Sequence, residues 1–441
     1  MLGQQAAATQ EGPAHLADAA PKTTAGRHVD AVTTRRGRLE FLDALRGIAA
    51  LTVAVQHISE TFWVEVLGWS HHWFRPGEFG VLVFFLCSGF IIPASMERRN
   101  DIVEFWIGRL FRLWPLYLLT VGLILLSFRL SDRIAPPAGY RPVQDTVLNV
   151  TMLQVFSSRP IVIGASWTLG YELVFYLLVS VLFLLGLHRN SAQTAVFLLI
   201  SALGLGGVTT FLMLQARPHN WWTFPAAGLV LLVVASARAT GAYQRVAVLL
   251  MGLVVVLAMS NRPHPMFFAC LLLGSMFVGT VLYRWSTGET PGRTAAAVYG
   301  LGLVVIIVAH LAWHIGYADP VSGETPRWWT EAGTFLAAYL LFGAALLLRH
   351  RSWPRVLTYL GTISYSVYLL HALVLIVFPP IPGGPWVGFT AMLATTIVGS
   401  MVTYHFVEKP SISLGRRVAE MRRRRRRPTD VEGRRQSTTS S

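Results

Sequence analysis

The segment from Arg38 to Glu60 reads RLEFLDALRGIAALTVAVQHISE. With its flanks, the apolar run inside it approaches the length of about 20 residues that a helix needs to cross a bilayer core. Arg46 and His57 interrupt this run, and the eleven steps between them amount to three helical turns plus about 20°. Both side chains therefore project from one face, about 16 Å apart along the axis. Asp43 lies three residues before Arg46, a spacing that favours an ion pair on a helix.

Ionisable residues inside a membrane helix are costly and usually face a polar interior, which makes this face a candidate functional surface. Two alternative interpretations exist. Arg46 could extend to the interface by snorkelling, and His57 could be a helix-end residue hydrated among the lipid headgroups. The segment on its own leaves these alternatives open.

The rest of the chain has the composition of a membrane protein. Of its 441 residues, 53% are hydrophobic and 13% are charged, whereas a soluble domain carries about 25% charged residues. The sequence predicts an all-α fold, a polytopic transmembrane helical bundle of about 10–12 spans. The candidate spans are 41–59, 79–96, 106–128, 166–187, 192–214, 224–238, 245–260, 266–284, 295–314, 331–349, 356–378 and 386–406.

Charge predicts the orientation of this bundle. The net charge is +15, and ten arginines lie between Arg416 and Arg435. By the positive-inside rule, both termini are expected in the cytoplasm of a multi-pass cell-membrane protein. The loop 129–165 is an exception, because it is predicted to lie outside although it carries four arginines.

The termini are predicted to lie outside the folded domain. Residues 1–37 are expected to be a disordered cytoplasmic leader, residues 38–411 the transmembrane domain, and residues 412–441 a basic disordered cytoplasmic tail. The arginines of this tail suit anionic headgroups, and the absence of interleaved aromatic residues disfavours nucleic acid. Cys87 and Cys270 lie in apolar runs, so we expect core residues and no disulfide or metal site.

Further polar residues repeat the signal of the first span. Arg109 and Arg112, in FWIGRLFRLWP, share a face near a helix end and could clamp phosphates; the alternative is topological anchoring. Glu172 lies inside an apolar span with Tyr176 one turn on, and a carboxylate there needs a polar partner.

One more set lies near the carboxyl end. In SYSVYLLH, Ser364, Tyr368 and His371 share one helical face. Hydrogen bonding between helices is an alternative role for the serine and the tyrosine.

Together these segments resemble the acyltransferase 3 family of membrane-bound O-acyltransferases, which modify cell-surface glycans and some antibiotics. LDALRGIAALTVAVQH resembles the opening helix of the family, with Arg46 and His57 at its arginine and histidine positions. The resemblance continues in order through FGVLVFFLCSGFII, FWIGRLFRLWPLY with its Arg-x-x-Arg element, SWTLGYELVFYLL with Glu172 in the acidic position, ISYSVYLLH and VEKP.

The resemblance implies an O-acyltransferase that moves an acyl group, most commonly acetyl, from cytoplasmic acyl-coenzyme A to a sugar hydroxyl. The expected acceptor is a carbohydrate of the cell envelope, as in polysaccharide O-acetylation, or a glycosylated metabolite, and no bound cofactor is expected. Arg46, Arg109 and Arg112 are the expected donor-binding residues. His57 is the expected general base, with an acyl-histidine relay as the less favoured variant, and Glu172 is expected to orient His57 or the acceptor.

Asp43, Ser364, Tyr368 and His371 are assigned supporting roles. A transporter or flippase of a glycan-related substrate is the main alternative function, although no repeat symmetry relates the two halves of the chain. A non-catalytic membrane sensor or scaffold is a third.

Overall fold

A computed structural model describes residues 24–132, 134–156, 159–215, 241, 266–313, 327–378 and 383–426, and this part of the chain contains helices and no strand. The helices, numbered here in chain order, are α1 Thr24–Phe62, α2 Val64–His71, α3 Pro76–Arg99, α4 Ile102–Leu130, α5 Pro142–Val150, α6 Trp167–Leu184, α7 Ser191–Gln215, α8 Met266–Ser286, α9 Gly292–Trp313, α10 Trp328–Leu347, α11 Arg355–Thr362, α12 Ser364–Val377, α13 Pro385–Thr403 and α14 Lys409–Arg426. The predicted all-α polytopic bundle is confirmed.

Within the described residues, eight helices are long and apolar enough to cross a membrane, and the bent pair of α11 and α12 makes up to nine. α11 and α12 meet at an angle of 70°. α7 covers the predicted span 192–214, and its described apolar part is Ser191–Gly204. The predicted spans 224–238 and 245–260 lie outside the described residues.

The spans alternate in direction, so the bundle has two distinct ends. At one end, which we call the arginine end, α3 finishes at Arg99 and α4 begins at Ile102. At the other, the histidine end, α1 finishes at Phe62, five residues after His57. α1 begins and α14 finishes at the arginine end. That this end faces the cytoplasm stays a prediction of the positive-inside rule.

Glycines bring the helices of the core into direct backbone contact. A Cβ at Gly89 of α3 would overlap the backbone oxygen of Met276 in α8, and one at Gly279 would meet the backbone oxygen of Leu86. Thr280 then donates a hydrogen bond of 2.8 Å to the Gly89 carbonyl. Small residues at such crossings are typical of helices packed within a bilayer.

The carboxyl-terminal helix differs from the prediction. Residues 409–426 form α14, so the prediction of disorder was wrong for residues 412–426. The physical reason is contact with α4, against whose Phe111 the backbone at Gly415 packs and to whose start two ion pairs join it. Arg422 contacts Asp101 at 2.9 Å and Arg423 contacts Glu104 at 2.9 Å. Each carboxylate accepts a hydrogen bond from its arginine, which a disordered tail would leave in solvent.

The amino-terminal side differs as well. α1 begins at Thr24, so residues 24–37 are helical and not disordered as predicted. Helix propagation is inexpensive once a packed segment has nucleated it, and the buried residues from Phe41 onward provide that segment. Residues 1–23 and 427–441 lie outside the described residues.

The loop that contradicted the charge rule contains an ion pair. Arg159 donates from Nε to Asp145 at 2.8 Å, and a second bond of 2.8 Å runs from Nη2. These hydrogen bonds from Arg159 hold the pKa of Asp145 below its usual range. Arg159 is thus paired with an acid of its own loop, and the side of the membrane on which this loop lies stays a prediction.

Candidate active site

A cavity lies between α1, α3, α4, α6 and α12, and it encloses about 540 Å³ of empty space, including space open to solvent. Its polar lining gathers residues from spans that are distant in sequence, and its remaining wall is apolar. The polar residues are Arg46, Ser88, Arg112, Thr168, Glu172, Tyr365 and Tyr368, and the apolar ones are Val81, Phe84, Phe85, Leu113 and Leu169. A mostly apolar pocket with a few convergent polar groups is the usual form of a small-molecule site.

Two arginines and one glutamate define the charge of this cavity. Arg46 and Arg112 come from α1 and α4, and Glu172 comes from α6. Tyr176, one turn after Glu172, donates a hydrogen bond to Oε1 of that carboxylate. The tyrosine is the polar partner that the sequence required for a glutamate within a span. The cavity can therefore hold an anionic group between two guanidinium groups while Glu172 stays fixed in position.

Arg109 takes a different position from Arg112. Its guanidinium lies 5.3 Å from the ring centre of Phe105 and 5.4 Å from that of Tyr176, and it is not part of the cavity lining. These distances fit cation–π contacts. The two arginines of the Arg-x-x-Arg element thus occupy successive levels, with Arg112 in the cavity and Arg109 one turn nearer the arginine end.

His57 meets His371 of α12. The His57 Nδ1 and His371 Nε2 atoms are 3.2 Å apart, and the rings are nearly parallel, with an angle of 6° between their planes. His57 is half-buried and His371 is buried. The ring of Tyr368, which lines the cavity, lies edge-to-face with His371 at 5.7 Å. Neither histidine is part of the cavity lining, and the pair lies next to Tyr368, on the side of the histidine end.

The hydrogen bonds of this pair determine which nitrogen can act as a base. His371 Nδ1 lies 3.2 Å from the Val367 carbonyl oxygen, and because a carbonyl only accepts, Nδ1 carries the proton. In the neutral pair, His371 Nε2 then accepts from His57 Nδ1–H. This leaves the lone pair of His57 on Nε2, where it is available to take a proton.

The supporting residues are placed in different ways. Tyr368 donates to the Ala165 carbonyl oxygen at 2.8 Å and contacts the Thr168 hydroxyl at 2.7 Å, which fixes its ring in the cavity wall. Ser364 is buried at the first residue of α12 and does not line the cavity. The residues of α12 that line the cavity are Tyr365 and Tyr368.

Asp43 and Arg46 act on each other electrostatically, one turn apart. The direct ion pair that their spacing predicted is not among the contacts of the described residues. Arg46 turns into the cavity toward Glu172, away from a direct contact with the preceding turn.

Glu408 is a buried carboxylate whose role the sequence pattern did not predict. It accepts a hydrogen bond of 2.7 Å from Ser366 and acts electrostatically on Arg112 and Arg46. It ends a π-helical turn, Tyr404–Glu408, between α13 and α14, and such turns are frequent at functional sites. The VEKP motif was the available signal, but its glutamate lies at the end of a span, where exposure is the ordinary expectation.

Cys87 and Cys270 are buried in the apolar core, as predicted, and form no disulfide. No group of three or more histidine, cysteine or acidic side chains within the described ranges could hold a metal ion.

A family model described as acyltransferase domain matches residues 39–405. The chain belongs to this family. The match includes every span that contributes to the cavity and both histidines. The resemblance to the acyltransferase 3 family drawn from the sequence motifs is thereby confirmed.

Individual relatives are similar over different parts of the chain. Acyltransferase MdmB of Streptomyces mycarofaciens is 32% identical over 150 residues, which cover 32% of this chain and 38% of that protein. A putative O-acetyltransferase of Staphylococcus aureus (strain COL) is 24% identical over 398 residues, covering 84% of this chain and 56% of that protein. O-acetyltransferase OatA of Staphylococcus aureus (strain NCTC 8325 / PS 47) is 27% identical over 197 residues, covering 40% of this chain and 30% of that protein.

The chain thus spans about half the length, or less, of these relatives. No solved structure matches the chain.

Proposed function

We propose that the protein is a membrane O-acyltransferase that moves a short acyl group from acyl-coenzyme A to a hydroxyl of a carbohydrate acceptor. The observation that carries this proposal is the cavity with two arginines in its wall, together with a histidine pair that packs against Tyr368 of the same wall. The names of the relatives support the O-acetyl class of reaction.

The arginines suit the donor. Coenzyme A carries several negative phosphate charges, and guanidinium groups bind phosphate through paired, charge-assisted hydrogen bonds. Arg46 and Arg112 would hold the anionic part of the donor at the arginine side of the cavity. The positive-inside rule favours entry of the donor from the cytoplasm at this end.

His57 suits the chemical step. A hydroxyl is a weak nucleophile near neutral pH, and removal of its proton in the transition state by a positioned base contributes about 10²–10⁴-fold. His57 Nε2 takes the proton of the acceptor hydroxyl while the hydroxyl oxygen bonds to the thioester carbon. The carbon–sulfur bond then breaks, and the departing sulfur receives that proton from His57, so the products are an ester and free coenzyme A thiol.

Glu172 and His371 have positioning roles in this scheme. His371 Nε2 holds the Nδ1–H of His57, which keeps the lone pair on Nε2. Glu172, fixed by Tyr176, keeps the side chains of Arg46 and Arg112 directed into the cavity by charge.

The test combines acceptor discovery with a catalytic variant. Envelope glycans and secreted metabolites are compared by mass spectrometry between cells with the gene, cells without it and cells with His57→Ala. A mass difference of one acyl unit that depends on both the gene and His57 supports the proposal and identifies the acceptor. Transport of a glycan without consumption of thioester, or full acylation by a normally inserted His57→Ala protein, would contradict it.

A further inference from the structure

An unexplained cluster of positive charge lies outside the cavity at the arginine end. It consists of Arg99 at the end of α3, Arg109 in α4 and Arg416 in α14, and we call it the inner arginine cluster. The Arg99 guanidinium is repelled by the charges of three neighbouring arginines, Arg109, Arg416 and Arg98. The acid whose charge attracts it is Glu104. Like charges held together in a folded protein repel one another, so this arrangement is costly unless an anion joins it.

Two glycines allow the cluster to form. Arg99 Nη1 donates a hydrogen bond of 2.7 Å to the Glu104 backbone oxygen, and it lies 2.7 Å from the point where a Cβ of Gly108 would stand. Arg99 therefore packs directly on the backbone of α4. Gly415 makes a similar approach on the other helix, where its Cβ would lie 2.6 Å from Cβ of Phe111. Arg416, the next residue, is held beside α4 by this contact.

Glu104, the acid that acts on Arg99, is already paired with another arginine. It accepts from Arg423 Nε at 3.2 Å and from Arg423 Nη2 at 2.9 Å. Both carboxylate oxygens thus face α14, and the Arg99 guanidinium contacts the backbone of Glu104 and not its side chain. The charge of the inner arginine cluster is therefore not balanced by this acid.

The cluster continues the line of arginines that begins in the cavity. Gly108, which supports Arg99, lies four residues before Arg112, and these positions are one helical turn apart on the same side of α4. Exposure decreases from Arg416, which is exposed, through Arg99, which is half-buried, to Arg109, which is buried. Arg112, which follows, is half-buried and lines the cavity. An anionic ligand with separated phosphates could contact the inner arginine cluster and the arginines of the cavity at once.

We propose that the inner arginine cluster binds a phosphomonoester, namely the 3′-phosphate on the ribose of the coenzyme A donor. This rests on the proposed function, and it assigns α14 to the donor site. Arg416 and Arg99 would contact the phosphate, while Arg112 and Arg46 hold the part of the donor inside the cavity. An anionic lipid headgroup carries similar chemistry and is the competing source of the phosphate.

The test measures dissociation constants in nanodiscs of zwitterionic lipid for acetyl-coenzyme A and for its 3′-dephospho analogue. We expect the wild-type protein to bind the complete donor about tenfold more tightly than the analogue. Arg416→Gln is expected to remove most of this difference, by weakening binding of the complete donor alone. Arg417→Gln is the matched control, because Arg417 is the exposed neighbour on the same helix, and it should leave both constants unchanged.

The outcomes separate the site from the proposed function. Equal affinity of the wild type for both donors, or an equal loss for both in Arg416→Gln, overturns the 3′-phosphate site but leaves the donor class standing. Arg416→Gln could instead leave donor binding unchanged while the purified variant loses phosphatidylglycerol that the wild type retains. That result would show that the cluster binds lipid, and it would also overturn the proposal. If the wild type binds neither donor, the proposed function fails, and this site fails with it.

Discussion

Substitution of His371 is the most direct test of how His57, the proposed catalytic base, is oriented. The asparagine of His371→Asn would place a polar atom near the position of the histidine Nδ1, which bonds to the Val367 carbonyl, but would not reach His57. The glutamine of His371→Gln is longer and would place its amide oxygen near the position of Nε2, which accepts from His57. We therefore compare these two variants, whose side chains differ by one methylene group.

The magnitude follows from the single hydrogen bond that His371→Asn removes. A buried donor left without an acceptor costs about 1–3 kcal/mol. At 1.36 kcal/mol for each factor of ten, this corresponds to a decrease of roughly 5- to 150-fold in kcat. The KM for the acyl donor should be unchanged, because Arg46 and Arg112 are untouched. His371→Gln should retain kcat within about fivefold of the wild type, since an acceptor remains.

The assay records the initial rate at which free thiol is released from acetyl-coenzyme A by purified protein in nanodiscs, with the acceptor identified by mass shift. Thermal unfolding of both variants serves as the control for folding. Equal kcat values for His371→Asn and His371→Gln at equal Tm would refute the orienting role. A wild-type kcat in His371→Asn would remove His371 from the mechanism altogether.

Three further outcomes are expected. Gly89→Ala should destabilise the protein by about 1–3 kcal/mol or more and lower its Tm, because a Cβ there would overlap the backbone of α8. Gly300→Ala is the control, since a Cβ at Gly300 meets nothing within 4 Å, and its Tm should be unchanged or slightly raised. Equal Tm changes in the two variants would contradict the packing. Glu172→Gln should lower kcat/KM about tenfold by removing the charge opposite the arginines, and a wild-type value would exclude its positioning role. Arg159 lowers the pKa of Asp145, so the contribution of this carboxylate to stability is present above the unfolded pKa of about 3.9 and is lost as the pH falls below that value. Asp145→Asn should therefore make Tm depend less on pH in this acidic range. An unchanged dependence of Tm on pH would contradict the stabilising role of Asp145.

Local periodicity was sufficient to predict most of the fold. The apolar runs identified the helices because a span must bury its backbone polar groups internally and present apolar side chains outward. The helical period also placed Arg46 and His57 on one face, and α1 is a continuous helix across both. These predictions needed no knowledge of which span lies beside which.

Contacts between distant segments could not be predicted in this way. His57 and His371 are separated by 314 residues, and nothing in either span identifies the other as its partner. The helix formed by residues 409–426 depends on the same kind of contact, because its arginines pair with acids at the start of α4. A run of arginines considered alone has no such partners, and its composition indicates disorder.

Two helices determine the geometry of the site by opposite means. α1 is unbroken between Arg46 and His57, so it fixes these residues about 16 Å apart along its axis. It thereby sets the distance between the proposed donor anchor and the proposed base. α12 begins after a bend of 70°. Its Tyr365 and Tyr368 line the cavity, and its His371 contacts Tyr368 and His57. A rigid helix alone would supply a base with no partner to select its tautomer, and a bent helix alone would supply a partner with no anchor for the donor. In the proposed site, the straight helix and the bent one meet at the histidine pair.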